Sequence, residues 1–563
     1  MEISSENPHP GGIGDHRKST SQSALGRSNM PISVDSNREQ GRMARMQGTE
    51  GSEEGQPADV ALSRVSSIRP APVLVPRANR RGLFGRFTLL AEVEDAKHYS
   101  NTHKWLLTAF IGLAGIAAPL ASTIIFPALP DIRKDFNASA TVANLNVALY
   151  MLAMGIFPLW WSAYSERLGR RTIYLVSFAL FILWTVCAAV STSMPMLIVV
   201  RLLSGGAACS VQAVGAGTIA DLWESRERGR AMGFFYLGPL MGPAIAPVLG
   251  GILTQRLGWR STQWALVLYG VIVLTFLLFA LPETLKTKDP ILQALPSNES
   301  VTRVSLRHST KQKTTRIVNG LQRYLLDPLK IILYLRFPAV AVTVFYASIT
   351  FGTLYLLNIS LETTFSSPPY SYATIIVGLT YLPGSLGFFL ASVFGGKWTD
   401  HIMAREAMRA ERRDEKGRLI YRPEDRMREN AWIATIMYPA ALVWYGWTSE
   451  KGVSWPAPLV ATLFFGVGSM LVFAIATTML TEFLPRHSSG GVAANNAVRN
   501  ILSCTGAVTA GPLIGAIGNG WLFTGIGVMT LIGGAVSIWA MKKYGERWKE
   551  SMAKSLKEQD LGN

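Results

Sequence analysis

Apolar residues along this chain gather into runs of about 20, the length a helix needs to cross a hydrocarbon layer of about 30 Å. Short polar turns separate the runs. Twelve spans follow, at about 105–126, 142–163, 172–192, 195–220, 230–253, 262–281, 338–358, 372–395, 432–448, 457–482, 491–516 and 520–541. Several lie only a few residues apart, which forces antiparallel hairpins. The most informative hairpin is 201–251. In its second arm Gly238, Gly242, Ala246 and Gly250 recur at every fourth position, a smooth stripe on one helix face that another backbone can approach closely. Gly251 ends the run. Pro239, Pro243 and Pro247 accompany the stripe, and each leaves the carbonyl four residues earlier without its usual partner. That arm is expected to bend and to pack. Gly387, Ala391 and Gly395 repeat the stripe in the eighth span, after Pro383.

Outside the spans the pattern changes. Residues 1–100 form a polar tail expected to be disordered, with an interfacial helix near 83–97 carried by Leu83, Phe84, Phe87 and Leu90. The remaining divisions are a six-span half at 101–282, a central loop at 283–337 ending in a surface amphipathic helix, a second six-span half at 338–545 with an insertion at 404–430, and a tail at 546–563.

Composition agrees with a polytopic all-α membrane protein: 49% of residues are hydrophobic and 16% charged, and the mean hydropathy is +0.24. The net charge of +17 invites a nucleic-acid reading. The Lys and Arg, however, concentrate in alternate connections, which points to both termini in the cytoplasm and excludes a nucleic-acid partner. Cys187, Cys209 and Cys504 all fall inside apolar runs without metal-ligand spacing. No metal, cofactor or catalytic constellation is expected, and no phosphate-cradling loop is present.

The halves repeat. Ser162 to Glu166 after the second span aligns with Gly396 to Asp400 after the eighth, and Asp221 eight residues before Gly229 aligns with Glu482 eight residues before Gly490. A duplicated six-span unit follows. Glu166, Arg167, Gly169, Arg170 and Arg171, the fourth-span pair Arg201 and Gly205, and the run GPLMGPAIAPVLGG at 238–251 resemble the signatures of the major facilitator superfamily. Within it, the chain resembles the fungal twelve-span drug:proton antiporters of the quinidine-resistance and dityrosine-exporter group. Ser162 departs from the glycine expected there.

The residues and the resemblance together imply the following sites. Glu166 with Arg167, Arg170 and Arg171, joined by Asp221, Asp400 and Glu482, would latch the cytoplasmic side. Arg201, inside a span, must face the bundle interior, and the family assigns its equivalent to proton coupling. The small faces of the fifth and eighth spans would meet between the halves. Gln212, Tyr236, Tyr355, Asn358, Tyr381, Asn495, Asn496 and Arg499 are cavity candidates. No Asp or Glu stands near the middle of any span, so the proton carrier stays open among Asp131, Glu362 and Glu482. Asn137 begins a glycosylation sequon. The expected function is proton-coupled export of small amphipathic or cationic molecules, by a monomer in the plasma membrane. The alternatives are a polyamine, nutrient or spore-wall-precursor transporter, in a vacuolar or prospore membrane, and a non-transporting receptor or scaffold.

Overall fold

The computed structural model describes residues 73–285, 327–413, 428–483 and 488–562. Among them, ten helices are long and apolar enough to cross a bilayer. The last, Gly491–Ser555, breaks at Gly518 (φ 73°) and supplies two spans. Glu429–Glu450 adds the ninth. The twelve spans read from periodicity therefore each have a rod.

Local chemistry sets the rod ends. Ser100 caps the first span by accepting from the His103 N–H, and Ser139 caps the second by accepting from the Val142 N–H. Gly169, at φ 93°, makes the turn between the second and third spans, where a side chain would be strained. Three spans are interrupted. The first runs as Asn101–Gly115, Ala117–Thr123 and Leu129–Asp135, the fourth as Met194–Ala208 and Ser210–Leu222, and the eighth as Thr374–Leu379 and Leu382–Arg409. The fifth, Ser225–Leu257, stays one helix through its three prolines.

Outside the spans two expectations change. Residues 83–97 form no amphipathic helix. The segment from Leu74 to His98 instead makes 3-10 turns at Arg77–Asn79, Gly85–Phe87 and Ala96–His98, tied by a bridge between Leu74 and Val93. This strap is held by polar contacts: Glu92, buried, accepts from the Arg81 side chain at 2.6 Å, and the Leu89 N–H donates to the Phe279 carbonyl at 2.8 Å. Of the amphipathic helix expected before the seventh span, residues 319–326 lie outside the described residues and Asp327–Arg336 form a 3-10 run. The 404–430 segment begins as a continuation of the eighth-span helix to Arg409, and its residues 414–427 lie outside the described residues.

The glycine stripes pack differently from the expectation. A Cβ added at Gly238 would fall 2.1 Å from the Gly112 carbonyl oxygen, at Gly242 2.7 Å from Pro119 Cβ, and at Gly250 2.0 Å from the Ile124 carbonyl oxygen. All three neighbours belong to the first span. Gly387 abuts the Leu463 carbonyl and Gly395 the Leu471 side chain, both in the tenth span. The stripes therefore lock each half internally. What the fifth span offers to the eighth is Pro243, Pro247, Gly251 and Gln255.

Candidate functional site

Two ends of the molecule must be distinguished. One, here the basic face, carries Gly169, Glu224 and Glu283; the other carries Asn137, Gly258 and Gly518.

At the opposite face the halves touch. A Cβ on Gly251 would lie 2.7 Å from the Thr374 carbonyl, and one on Gly378 2.5 Å from the Pro247 carbonyl. The Ile375 N–H donates to Gln255 Oε1 at 2.9 Å. Pro247 has no N–H for the Pro243 carbonyl, and the Ser385 hydroxyl of the eighth span reaches that orphan at 3.5 Å. Beside this seam Phe126 stacks on Tyr381 with ring centroids 5.8 Å apart, Ser122 and Tyr355 hydroxyls lie 3.5 Å apart, and Tyr381 donates to the Asn358 carbonyl at 2.9 Å. Tyr355, Asn358 and Tyr381 thus belong to an aromatic plug. The second and eleventh spans meet at mid-depth, where Gly155 faces Asn500 and the Ala497 carbonyl. Toward the basic face Gly233 and Gly396 have no neighbour within 4 Å of an added Cβ.

At the basic face the charges pair within one half. Arg170 meets Asp221 at 3.1 Å and donates to Ser165 Oγ at 2.5 Å. Arg171, fully buried, donates to the Leu277, Leu278 and Leu281 carbonyls that end the sixth span and to the Leu83 and Phe84 carbonyls of the strap. A cation there meets both orphan carbonyls and the negative helix end. The reciprocal group is Glu283. Its carboxylate accepts from the Arg170 and Arg171 N–H groups that open the third span, at 2.9 and 3.2 Å, and from Thr284 and Leu285 at 3.0 Å. Burial pushes the Glu283 carboxyl up from its ordinary pKa, and the N–H donors pull it down.

The acid expected in this cluster was Glu166. It is exposed and has no ion pair among the described residues; Asp221 and Glu283 serve Arg170 and Arg171 instead, because they stand on the fourth and sixth spans that the third span packs against. Arg167 is exposed and has a partner. The side chains of Asp400 and Glu482 lie outside the described residues. Glu283 was missed because a single acid after an apolar run looks like any span end. The structure reveals it at Gly169, where a Cβ would fall 2.3 Å from Glu283 Oε2.

Mid-membrane, Arg201 is 1% exposed, so it does not snorkel to the surface. Its Nη1 donates to the Ala121 carbonyl at 3.0 Å and its guanidinium lies 4.7 Å from the Tyr150 ring centroid. Arg499 lies 4.2 Å from the Phe351 ring centroid and 5.9 Å from that of Phe473. Asn495 and Asn500 are buried, and Asn496 and Gln212 are half-buried. Tyr236 is 41% exposed although it stands within a span. Glu362 is buried near the plug and accepts from the Ser366 hydroxyl at 3.2 Å. Asn137 is exposed at φ 47°, in the turn before the second span.

Comparison with known proteins agrees with this architecture. The chain is 49% identical over 351 residues to MFS transporter OpS2 of Beauveria bassiana, covering 62% of this chain and 99% of that protein. It is 33% identical over 585 residues to MFS antiporter QDR3 of Candida albicans, covering 84% and 83% respectively. A solved D-xylose-proton symporter shares the fold with a TM-score of 0.56 at 16% identity, covering 76% of this chain and 96% of that one. Residues 111–507 match the Major Facilitator Superfamily. With paired six-span halves, and with relatives among fungal drug antiporters, the chain belongs to the Major Facilitator Superfamily, whose members are transporters and not enzymes.

Proposed function

We propose that the protein is a proton-coupled exporter of small amphipathic molecules that works by alternating access, as a monomer in the plasma membrane, with its basic face in the cytoplasm. The observation that carries the reading is asymmetric closure. Between the fifth and eighth spans, contact is at Pro247, Gly251, Thr374 and Gly378, whereas Gly233 and Gly396 near the basic face stand clear. Halves joined at one end and parted at the other are the state in which a cargo enters from the parted side. The positive charge of the connections on that side supports placing it in the cytoplasm.

Within this cycle Arg201 is the coupling residue, a fixed charge in an interior where a neighbouring group gains or loses its proton. Tyr236, Gln212, Asn496 and Arg499 line the path. Glu166, Asp400 and Glu482 engage across the halves only when the basic face closes, a state opposite to the one described. The test is flux in vesicles reconstituted with the purified chain, using a fluorescent drug panel and an imposed pH gradient. Export against an inward proton gradient, abolished by Arg201→Ala with normal folding, is the expected result. Uptake in the same direction as the protons means a symporter, and absence of flux in any direction ends the transport reading.

A further inference from the structure

Among the described residues, the interior between the halves contains two positive charges and no carboxylate to balance them. Arg499 stands on the eleventh span at mid-depth. Its guanidinium lies over the Phe351 ring at 4.2 Å and near Phe473 at 5.9 Å. It makes no ion pair and no side-chain hydrogen bond among the described residues, and its Nε is buried without an acceptor. Arg201 satisfies one donor on the Ala121 carbonyl, and its Nε and Nη2 are likewise buried and unpartnered. A guanidinium has five donors in a planar fork and no acceptor capacity, so such groups call for oxygen acceptors.

The two charges are linked through Tyr355. Arg201 donates to the Ala121 carbonyl, the neighbouring Ser122 hydroxyl lies 3.5 Å from that of Tyr355, and Tyr355 packs at 5.3 Å between ring centroids on Phe351, the ring that Arg499 covers. The acids of the described spans stand elsewhere: Asp131 and Glu362 near the opposite face, and Glu166, Asp221 and Glu283 near the basic face. Arg499 is half-buried and Tyr236 41% exposed, so neither is sealed inside the packed core. A positively charged recess with aromatic walls repels cations and draws anions.

We propose that this recess is an organic-anion site: Arg499 takes a carboxylate or similarly acidic group of the transported molecule in a charge-assisted pair, Arg201 adds to the attracting field, and Phe351, Phe473 and Tyr236 hold the apolar body. This rests on the export reading and narrows it, setting aside the cationic cargo that the sequence allowed. Aromatic faces alone hold Arg499 weakly, whereas a carboxylate meets its fork with two parallel N–H···O bonds.

The experiment uses the full chain in vesicles under an imposed proton gradient, with three matched probes: 1-naphthylacetate, its amide, and 1-naphthylmethylammonium. The wild type is expected to move the carboxylate at least about tenfold faster than the amide or the ammonium at low concentration, and Arg499→Gln to bring that ratio to about one. Arg499→Lys keeps the charge without the fork and is expected to fall between them. Should Arg499→Gln fail to fold, wild-type competition decides: the carboxylate should inhibit flux of a neutral drug at lower concentration than the ammonium does. Preference for the ammonium or amide in the wild type, or an unchanged ratio in a folded Arg499→Gln protein, overturns the anion site and leaves export standing. Absence of flux for every probe and every drug retires the exporter reading and this inference with it.

Discussion

Glu283 and Arg171 work as a reciprocal pair of helix caps. The carboxylate closes the N-terminus of the third span, and the guanidinium closes the C-terminus of the sixth. Each meets the partial charge of the opposite sign at a helix end, in a buried position where that interaction is weakly screened. Gly169 is the residue that lets them do so, through its positive φ and the absence of a Cβ 2.3 Å from Glu283 Oε2. Gly169→Ala should therefore cost about 1–3 kcal/mol, from backbone strain and from displacement of the carboxylate. Glu283→Gln should cost a comparable amount by leaving buried N–H groups with a weaker acceptor. Glu166→Gln, at an exposed position, should stay within about 0.5 kcal/mol. Thermal unfolding of the three variants in detergent measures this ordering. A Glu166 variant less stable than the Glu283 variant would return the structural weight to the acid of the signature.

At the scale of elements, small-residue stripes state that two backbones come close and leave the partner unnamed. The periodicity of Gly238, Gly242 and Gly250 was legible because a four-residue repeat marks one helix face. That the face meets Gly112, Pro119 and Ile124 of the first span was not, because contact between distant segments leaves no mark in a local pattern. The spans themselves were legible for the opposite reason: each is a property of its own 20 residues. Residues 83–97 carry the spacing of a helix at Leu83, Phe84 and Phe87, while the fold of the strap is decided by Arg171, Glu92 and Phe279 far along the chain or across a turn. The two kinds of glycine contact predict different failures. Gly250→Val drives a side chain into the Ile124 carbonyl within one half, and should reduce the folded yield as measured by size-exclusion chromatography. Gly378→Val presses on the Pro247 carbonyl between halves, and should leave folding largely intact while raising the labelling of Ser122→Cys from the opposite face. Equal loss of folded protein in both would mean that the seam at Gly378 is as integral to folding as the stripe.

The halves meet along the second and eleventh spans and, at the opposite face, along the fifth and eighth, and it is the latter seam that opening of that face must break. An added Cβ at Gly251 would lie 3.4 Å from Gly378 Cα, and one at Gly378 would lie 3.4 Å from Gly251 Cα. The two positions thus face each other across the seam, near enough for a disulfide, whose Cβ atoms sit about 3.5–4.5 Å apart, once the helices shift slightly to relieve the approaches to the Thr374 and Pro247 carbonyls. The double variant Gly251→Cys and Gly378→Cys, made with Cys187, Cys209 and Cys504 replaced by serine or alanine, should therefore cross-link in this state under mild oxidation. The bond would fasten the opposite face shut. If turnover requires that face to open, proton-driven flux should fall to background on oxidation and return when dithiothreitol is added. Binding from the basic face should persist throughout, because Gly233 and Gly396 there stand clear of each other's half. The two readouts separate a locked transporter from a damaged one. Full flux through a quantitatively cross-linked protein would show that cargo passes without the fifth and eighth spans parting at this seam, and alternation of the two halves would no longer account for transport.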